Sequence, residues 1–167
     1  MTAEMVKIGY ELTTLHSKLA ERENASSMTI VSGKQLGLNW FQSLGLALGT
    51  LGEFHAPIRQ TFRLMGTPSF EYTLEHLPGK VPGWGSSWYK EPDPLIEDYI
   101  RRVLGDWEER LFEMTTHVQI FTGKNLWPNA AAVTAMSVHK AGMGATWAEQ
   151  MLVAGRLPVW ERLYNGA

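Results

Sequence analysis

Five histidines are the side chains best suited to acid–base work near neutral pH: His16, His55, His76, His117 and His139. No two stand three or four apart and no His-Glu-x-x-His sequence occurs, so a metal site would need ligands gathered from distant segments. His55 is the most suggestive. It lies in Gly52-Glu-Phe-His-Ala-Pro57, between the end of one helical pattern and the start of the next, and loop positions on a rigid scaffold carry function more often than helix interiors do. The plain alternative is a histidine satisfied within the fold; His117, on an amphipathic stripe, reads as a partly exposed helix residue. A second candidate is Val81-Pro-Gly-Trp-Gly-Ser-Ser-Trp-Tyr-Lys90. Its glycines let backbone approach a ligand closely, and Trp84 or Trp88 offers a face on which a base could stack. The segment matches neither a P-loop nor a dinucleotide fingerprint, and Ser86 and Ser87 lack the Gly-x-Ser-x-Gly elbow of a hydrolase. The competing reading is a tight surface turn anchored by its tryptophans.

Composition narrows the chemistry further. The chain has 167 residues, enough for one domain, with 44% hydrophobic and 19% charged residues. A formal net charge of −2 gives no basic excess for neutralising phosphates, which argues against a nucleic-acid partner. Without cysteine there can be no disulfide, thiolate metal site or cysteine nucleophile. The N-terminal ten residues include Glu4 and Lys7 and resemble no signal peptide. The most apolar run, Leu36 to Leu51, is interrupted by Asn39, Gln42 and Ser43 and is shorter than a membrane span. The expectation is a soluble cytoplasmic protein with no membrane partner.

The elements that must position these residues read as helices. Residues 3–23 place Met5, Ile8, Leu12, Leu15 and Leu19 at helical spacing, followed by a polar junction with Asn24, Ser26 or Ser27 as N-cap. Trp40, Phe41, Leu44, Leu48 and Leu51 are expected on one helical face. Gly45 and Gly49 on the same helix imply close approach of a second backbone, most simply within the core. A short helix follows Pro57 and stops at Gly66; residues 66–92, rich in Gly and Pro, read as a long loop. Asp93-Pro94 starts a helix, with Gly105 as a candidate break within it, that ends near Gly123. An alanine-rich helix runs from Ala130 to about Lys140. A last helix spans Ala145 to Ala154, closed by Gly155, with an extended tail holding Pro158. One short strand at Met28–Val31 is the sole β candidate. The expected architecture is all-α, about six or seven helices, divided into an N-terminal helix and junction (1–27) and a helical domain (28–167).

Several segments, in order, resemble a known family. Asn24-Ala-Ser-Ser-Met-Thr29 is similar to Asn-Ala-Ser-Thr-Phe-Thr, and Gly52-Glu-Phe-His-Ala-Pro57 to Gly-Pro-Leu-His-Gly-Gly. Pro82-Gly-Trp-Gly-Ser-Ser-Trp-Tyr-Lys90 with Asp93-Pro94 is similar to Pro-Gly-Phe-Gly-His-Ala-Val-Tyr-Lys with Asp-Pro-Arg. Leu126-Trp-Pro-Asn-Ala-Ala131 is similar to Leu-Tyr-Pro-Asn-Val-Asp, and Ala141-Gly142, Trp147-Ala-Glu-Gln150 and Leu163-Tyr164 fit the last helix and tail. Together these resemble citrate synthase, chiefly its small domain, from about residue 15 to 166.

The resemblance implies a citrate-synthase-like small-domain helical bundle with a remnant of the large domain. It also implies a chemistry: condensation of acetyl-CoA with oxaloacetate, an aspartate taking a methyl proton while histidines and arginines stabilise the enol and clamp the dicarboxylate. Position by position, most of that equipment is missing. His55 matches the enol-stabilising histidine. Ser86 stands for the oxaloacetate histidine, Ala131 for the catalytic aspartate, Leu95 for the Asp-Pro-Arg arginine and His139 for a further arginine. Val159-Trp-Glu161 stands for an Arg-Pro-Arg, and the histidine of an Asp-His-Glu falls near Ala20-Glu21, with His16 close by. Alanine cannot remove a proton. What survives is Val81, Pro82, Gly83, Trp84, Gly85 and Asn129, in loops that lie against coenzyme A in the family. The expectation is therefore a catalytically degenerate binding or assembly module, forming a homo-oligomer or joining a larger assembly. It would hold no tightly bound cofactor, but would keep residual affinity for CoA or acetyl-CoA. The alternative is an acyl-CoA condensing or lyase enzyme using His55 with a base such as Glu53, alone or completed by a partner chain.

Overall fold

A computed structural model describes residues 1–22, 24–51, 57–86 and 89–166. Nine α-helical segments and one π-helical turn are present among them: α1 (Ala3–Ala20), α2 (Ala25–Gln35), α3 (Trp40–Gly49), α4 (Ile58–Met65), α5 (Phe70–Glu75), α6 (Pro94–Tyr99), the π turn (Ile100–Leu104), α7 (Trp107–Thr122), α8 (Ala130–Lys140) and α9 (Ala145–Asn165). The chain is all-α. No described helix is long and apolar enough to cross a membrane.

Local chemistry sets most boundaries. Asn24 caps α2 by accepting from Ser27 N–H, Asn39 and Gln42 form a capping box on α3, and Asp93 caps α6 with Pro94 in its first turn. Gly123 ends α7 in a left-handed conformation, with φ 62°.

The bundle is built around α8. Its residues Ala131 to Val138 are all buried, and α4, α9, α1, α6, α7 and the π turn surround it. Small side chains let so many neighbours reach one axis. The polar ones find partners: Thr134 Oγ1 bonds His16 Nε2 at 3.0 Å, and Ser137, donating to Val133 O, accepts from Tyr99 Oη at 2.8 Å. Lys140 Nζ leaves the end of α8 and donates to the carbonyls of Val103 and Leu104, at 2.9 and 3.0 Å, which secures the π turn. A smaller cluster, Ile30, Ala47 and Trp160 with Trp40, Leu44 and Tyr164 around it, joins α2 and α3 to the end of α9.

Several expectations are corrected. Met28–Val31 lies inside α2 and is no strand. Residues 66–92 contain α5, capped by Ser69. The expected end at Gly155 does not occur: α9 continues through Gly155 and Pro158 to Asn165. At Gly155 α9 lies close against α1; a Cβ there would lie 2.8 Å from the His16 Cβ. Tertiary packing, rather than chain termination, explains that glycine. Finally, the apolar residues of α3 do not share one face. Of the five expected to share it, Trp40, Leu44 and Leu51 pack inward, whereas Phe41 is 79% exposed and Leu48 39% exposed. Beyond α3's own backbone and the adjacent residues, no described atom lies within 4 Å of where a Cβ on Gly45 or Gly49 would be. The proposed boundary at residue 27 falls within α2, and α1 contributes Ile8, Leu12 and Leu15 to the main core.

Candidate functional site

The two loops singled out in the sequence, 81–86 and 126–129, lie side by side. Gly85 N–H donates to Trp127 O at 2.8 Å and Asn129 N–H donates to Gly83 O at 2.9 Å, closing a short antiparallel bridge between Trp84 and Pro128. Asn129 completes the junction with its side chain. Its Nδ2 donates to Gly85 O at 2.9 Å, while its Oδ1 accepts from Ala131 N–H and caps α8. One asparagine therefore fixes both the loop and the start of the central helix. Gly83 and Gly85 sit at φ +95° and +91°, a region costly for residues with a Cβ. At Gly83 a Cβ would also press on the methyl of the buried Thr61.

The loop differs from a stacking platform in one respect. The Trp84 ring points inward, 6% exposed, packs against Phe70 with centroids 5.7 Å apart, and donates from Nε1 to Thr115 Oγ1 at 2.9 Å. Its face is not open to a base. Val81 and Gly83 are buried as well, so Pro82, Gly85 and Ser86 form the accessible rim. Trp88 and His55 lie outside the described residues.

The positions where the resemblance replaces catalytic groups have structural roles. Ala131 is buried in the first turn of α8. Leu95 packs on the main core. His139 stacks on Phe62, rings parallel at 3.9 Å, and donates from Nε2 to Phe62 O at 2.9 Å; burial and the nearby Arg110 lower its pKa. Leu51 and Ile58 line a cavity of about 200 Å³ with Arg59, Glu149 and Leu152. Arg59 is bound to Glu149 through two guanidinium nitrogens, so this cation is already engaged. Among the described residues no group of three or more histidines or carboxylates converges as a metal site.

Two polar features escaped the sequence reading. Arg22 grips the capping Asp93 with bonds of 2.6 and 3.1 Å, tying the junction after α1 to the start of α6. Buried Arg156 donates to Ser26 Oγ at 2.9 Å, tying α9 to α2, and burial pulls its pKa down to about 10. Asp93 as a cap was the only local signal for either pair. Compared with known proteins, the sequence matches no protein-family model and no curated protein sequence.

Proposed function

We propose that this chain is a catalytically degenerate, citrate-synthase-like assembly module that pairs with a second copy of itself and retains at most a weak contact with coenzyme A. The observation that carries the reading is α3. It has no charged residue, buries Ser43 and Ala47, and turns Phe41, Leu46 and Leu48 toward solvent with Gly45 and Gly49 between them. Ser43 Oγ is buried with no partner among the described residues, an arrangement inverted from that of an ordinary surface helix. Each helical glycine costs about 1 kcal/mol relative to alanine, and none of the described residues uses the space that these two leave. An uncharged face of apolar knobs and glycine hollows can meet its own copy across a twofold axis without like-charge repulsion. Phe41, Leu46 and Leu48 offer on the order of 300 Å² of exposed apolar surface per copy, the centre of a pairing that needs about 1,000 Å² in total to be specific.

Alanine, serine and leucine at 131, 86 and 95 support the loss of condensing activity, since none can serve as a base or clamp a carboxylate. The tethered 81–86 loop leaves coenzyme A only its rim. A cytoplasmic setting belongs to the same reading. Light scattering is expected to give a dimer at high micromolar concentration, and Phe41→Glu a monomer of unchanged helicity; a monomeric wild-type chain would sink the assembly reading. Calorimetry should register weak heat with CoA or acetyl-CoA and none with oxaloacetate. Turnover of acetyl-CoA that disappears in His55→Ala would replace this reading with the enzymatic one.

A further inference from the structure

Of the chain's asparagines, Asn165 alone precedes a glycine. The others spend their side chains on the fold: Asn24, Asn39 and Asn129 cap helices, and Asn125 accepts from Gln119 Nε2. Asn165 is exposed, and its side chain makes no hydrogen bond with a described residue. It is the last residue of α9, and Gly166 follows it in the left-handed conformation, φ 79°. An asparagine before glycine can cyclise, because no Cβ shields the glycine nitrogen from the side-chain amide. Only the helix end holds that nitrogen here. Gly166 N–H donates to Leu163 O at 3.3 Å, a long bond at a terminus of the kind that frays.

A cation stands at the same place. Lys34, exposed near the end of α2, has its Nζ 3.3 Å from where a Cβ on Gly166 would be and 5.8 Å from the ring centroid of Tyr164. The ammonium group therefore lies beside the peptide unit that must become the nucleophile. Loss of the proton from Gly166 N makes an anion, and attack on the side-chain amide then gathers negative charge on its oxygen. A positive charge held close by lowers the cost of both steps.

We infer that Asn165 is a site of spontaneous modification, converted to isoaspartate and aspartate with the help of Lys34. The proton of Gly166 N passes to hydroxide and the nitrogen attacks Asn165 Cγ. The Cγ–Nδ2 bond breaks, ammonia leaves, and a succinimide ring remains. Water then opens the ring. Addition at the backbone carbonyl carbon leaves the chain linked through Cγ, as isoaspartate; addition at Cγ leaves an ordinary aspartate. Hydroxide and water are the only co-reactants. The site uses no residue of the coenzyme A rim or of α3, so it stands or falls independently of the assembly reading.

The test incubates the full chain in mildly alkaline, low-salt buffer and follows the peptide holding Asn165 by mass spectrometry, with methylation by an isoaspartyl methyltransferase as a second readout. Conversion should accumulate at Asn165 and not at the exposed Asn125. Lys34→Gln should slow it about threefold, the scale of one unit charge a few ångströms away at a solvated surface. Lys34→Arg should restore the wild-type rate, and added salt should bring the wild type toward the Lys34→Gln rate. Conversion at Asn165 no faster than at Asn125 would overturn the inference. So would a Lys34→Gln rate equal to or above that of the wild type, or a slowing that Lys34→Arg does not reverse.

Discussion

His16 is fully buried between α1, α8 and α9, its Nε2 bonded to Thr134, and its pKa is lowered to about 3 by burial and, secondarily, by the charge of Arg156. In the unfolded chain the imidazole takes a proton near 6.5, whereas in the fold it stays neutral until far lower pH. The neutral ring's contribution is thus complete above about 6.5 and lost progressively as pH falls toward 3. Within that window the loss runs at about 1.4 kcal/mol per pH unit. Urea unfolding at pH 7, 5.5 and 4 should show a falling midpoint, and His16→Leu should flatten the slope whatever it does to stability at pH 7. An unchanged slope would mean that other groups dominate acid unfolding. Arg156 sits in the same polar seam, and Arg156→Ala should loosen α9 from α2 by removing the bond to Ser26.

At the scale of elements, α9 departs furthest from what local signals predict, and two substitutions separate its causes. Pro158 is exposed in the helix interior and can donate no hydrogen bond. Pro158→Ala should raise stability by about 1–2 kcal/mol in thermal unfolding, helix propensity outweighing the added freedom of the unfolded chain. Gly155→Ala should do the reverse, lowering stability by more than about 2 kcal/mol, because a Cβ there runs into α1. The same contrast explains what the sequence could reveal. Asn24, Asp93-Pro94, Gly123 and Asn129 act on residues two to four positions away, so their helix boundaries were legible. The continuation of α9 depends on Thr13 and His16 of another helix, and nothing beside Gly155 encodes it. Periodicity likewise found α3 but not its orientation, since apolar residues lie on most sides. The 82–85 and 128–129 segments were recognisable as a pair, yet the inward turn of Trp84 depends on Thr115 and Phe70, far along the chain.

For the whole molecule, the unequal size of the two hydrophobic clusters has a dynamic consequence. The α2–α3 unit rests on Ile30, Ala47 and Trp160, whereas the other helices share a far larger core around α8. Amide exchange should therefore be faster in α2 and α3 than in α8, with local opening well below the global unfolding free energy. If α3 forms the twofold contact, its protection should rise with protein concentration. Gly45→Ala should stabilise the isolated chain by about 1 kcal/mol while weakening self-association, a divergence that a purely intrachain role for the glycine would not produce. The central helix carries a different consequence. Most helices tolerate change every third or fourth position, where they meet water. From Ala131 to Val138 there is no such position, because neighbouring elements enclose the helix on every side. A saturation screen should therefore find eight consecutive intolerant sites without helical rhythm, the signature of an axle rather than of a wall.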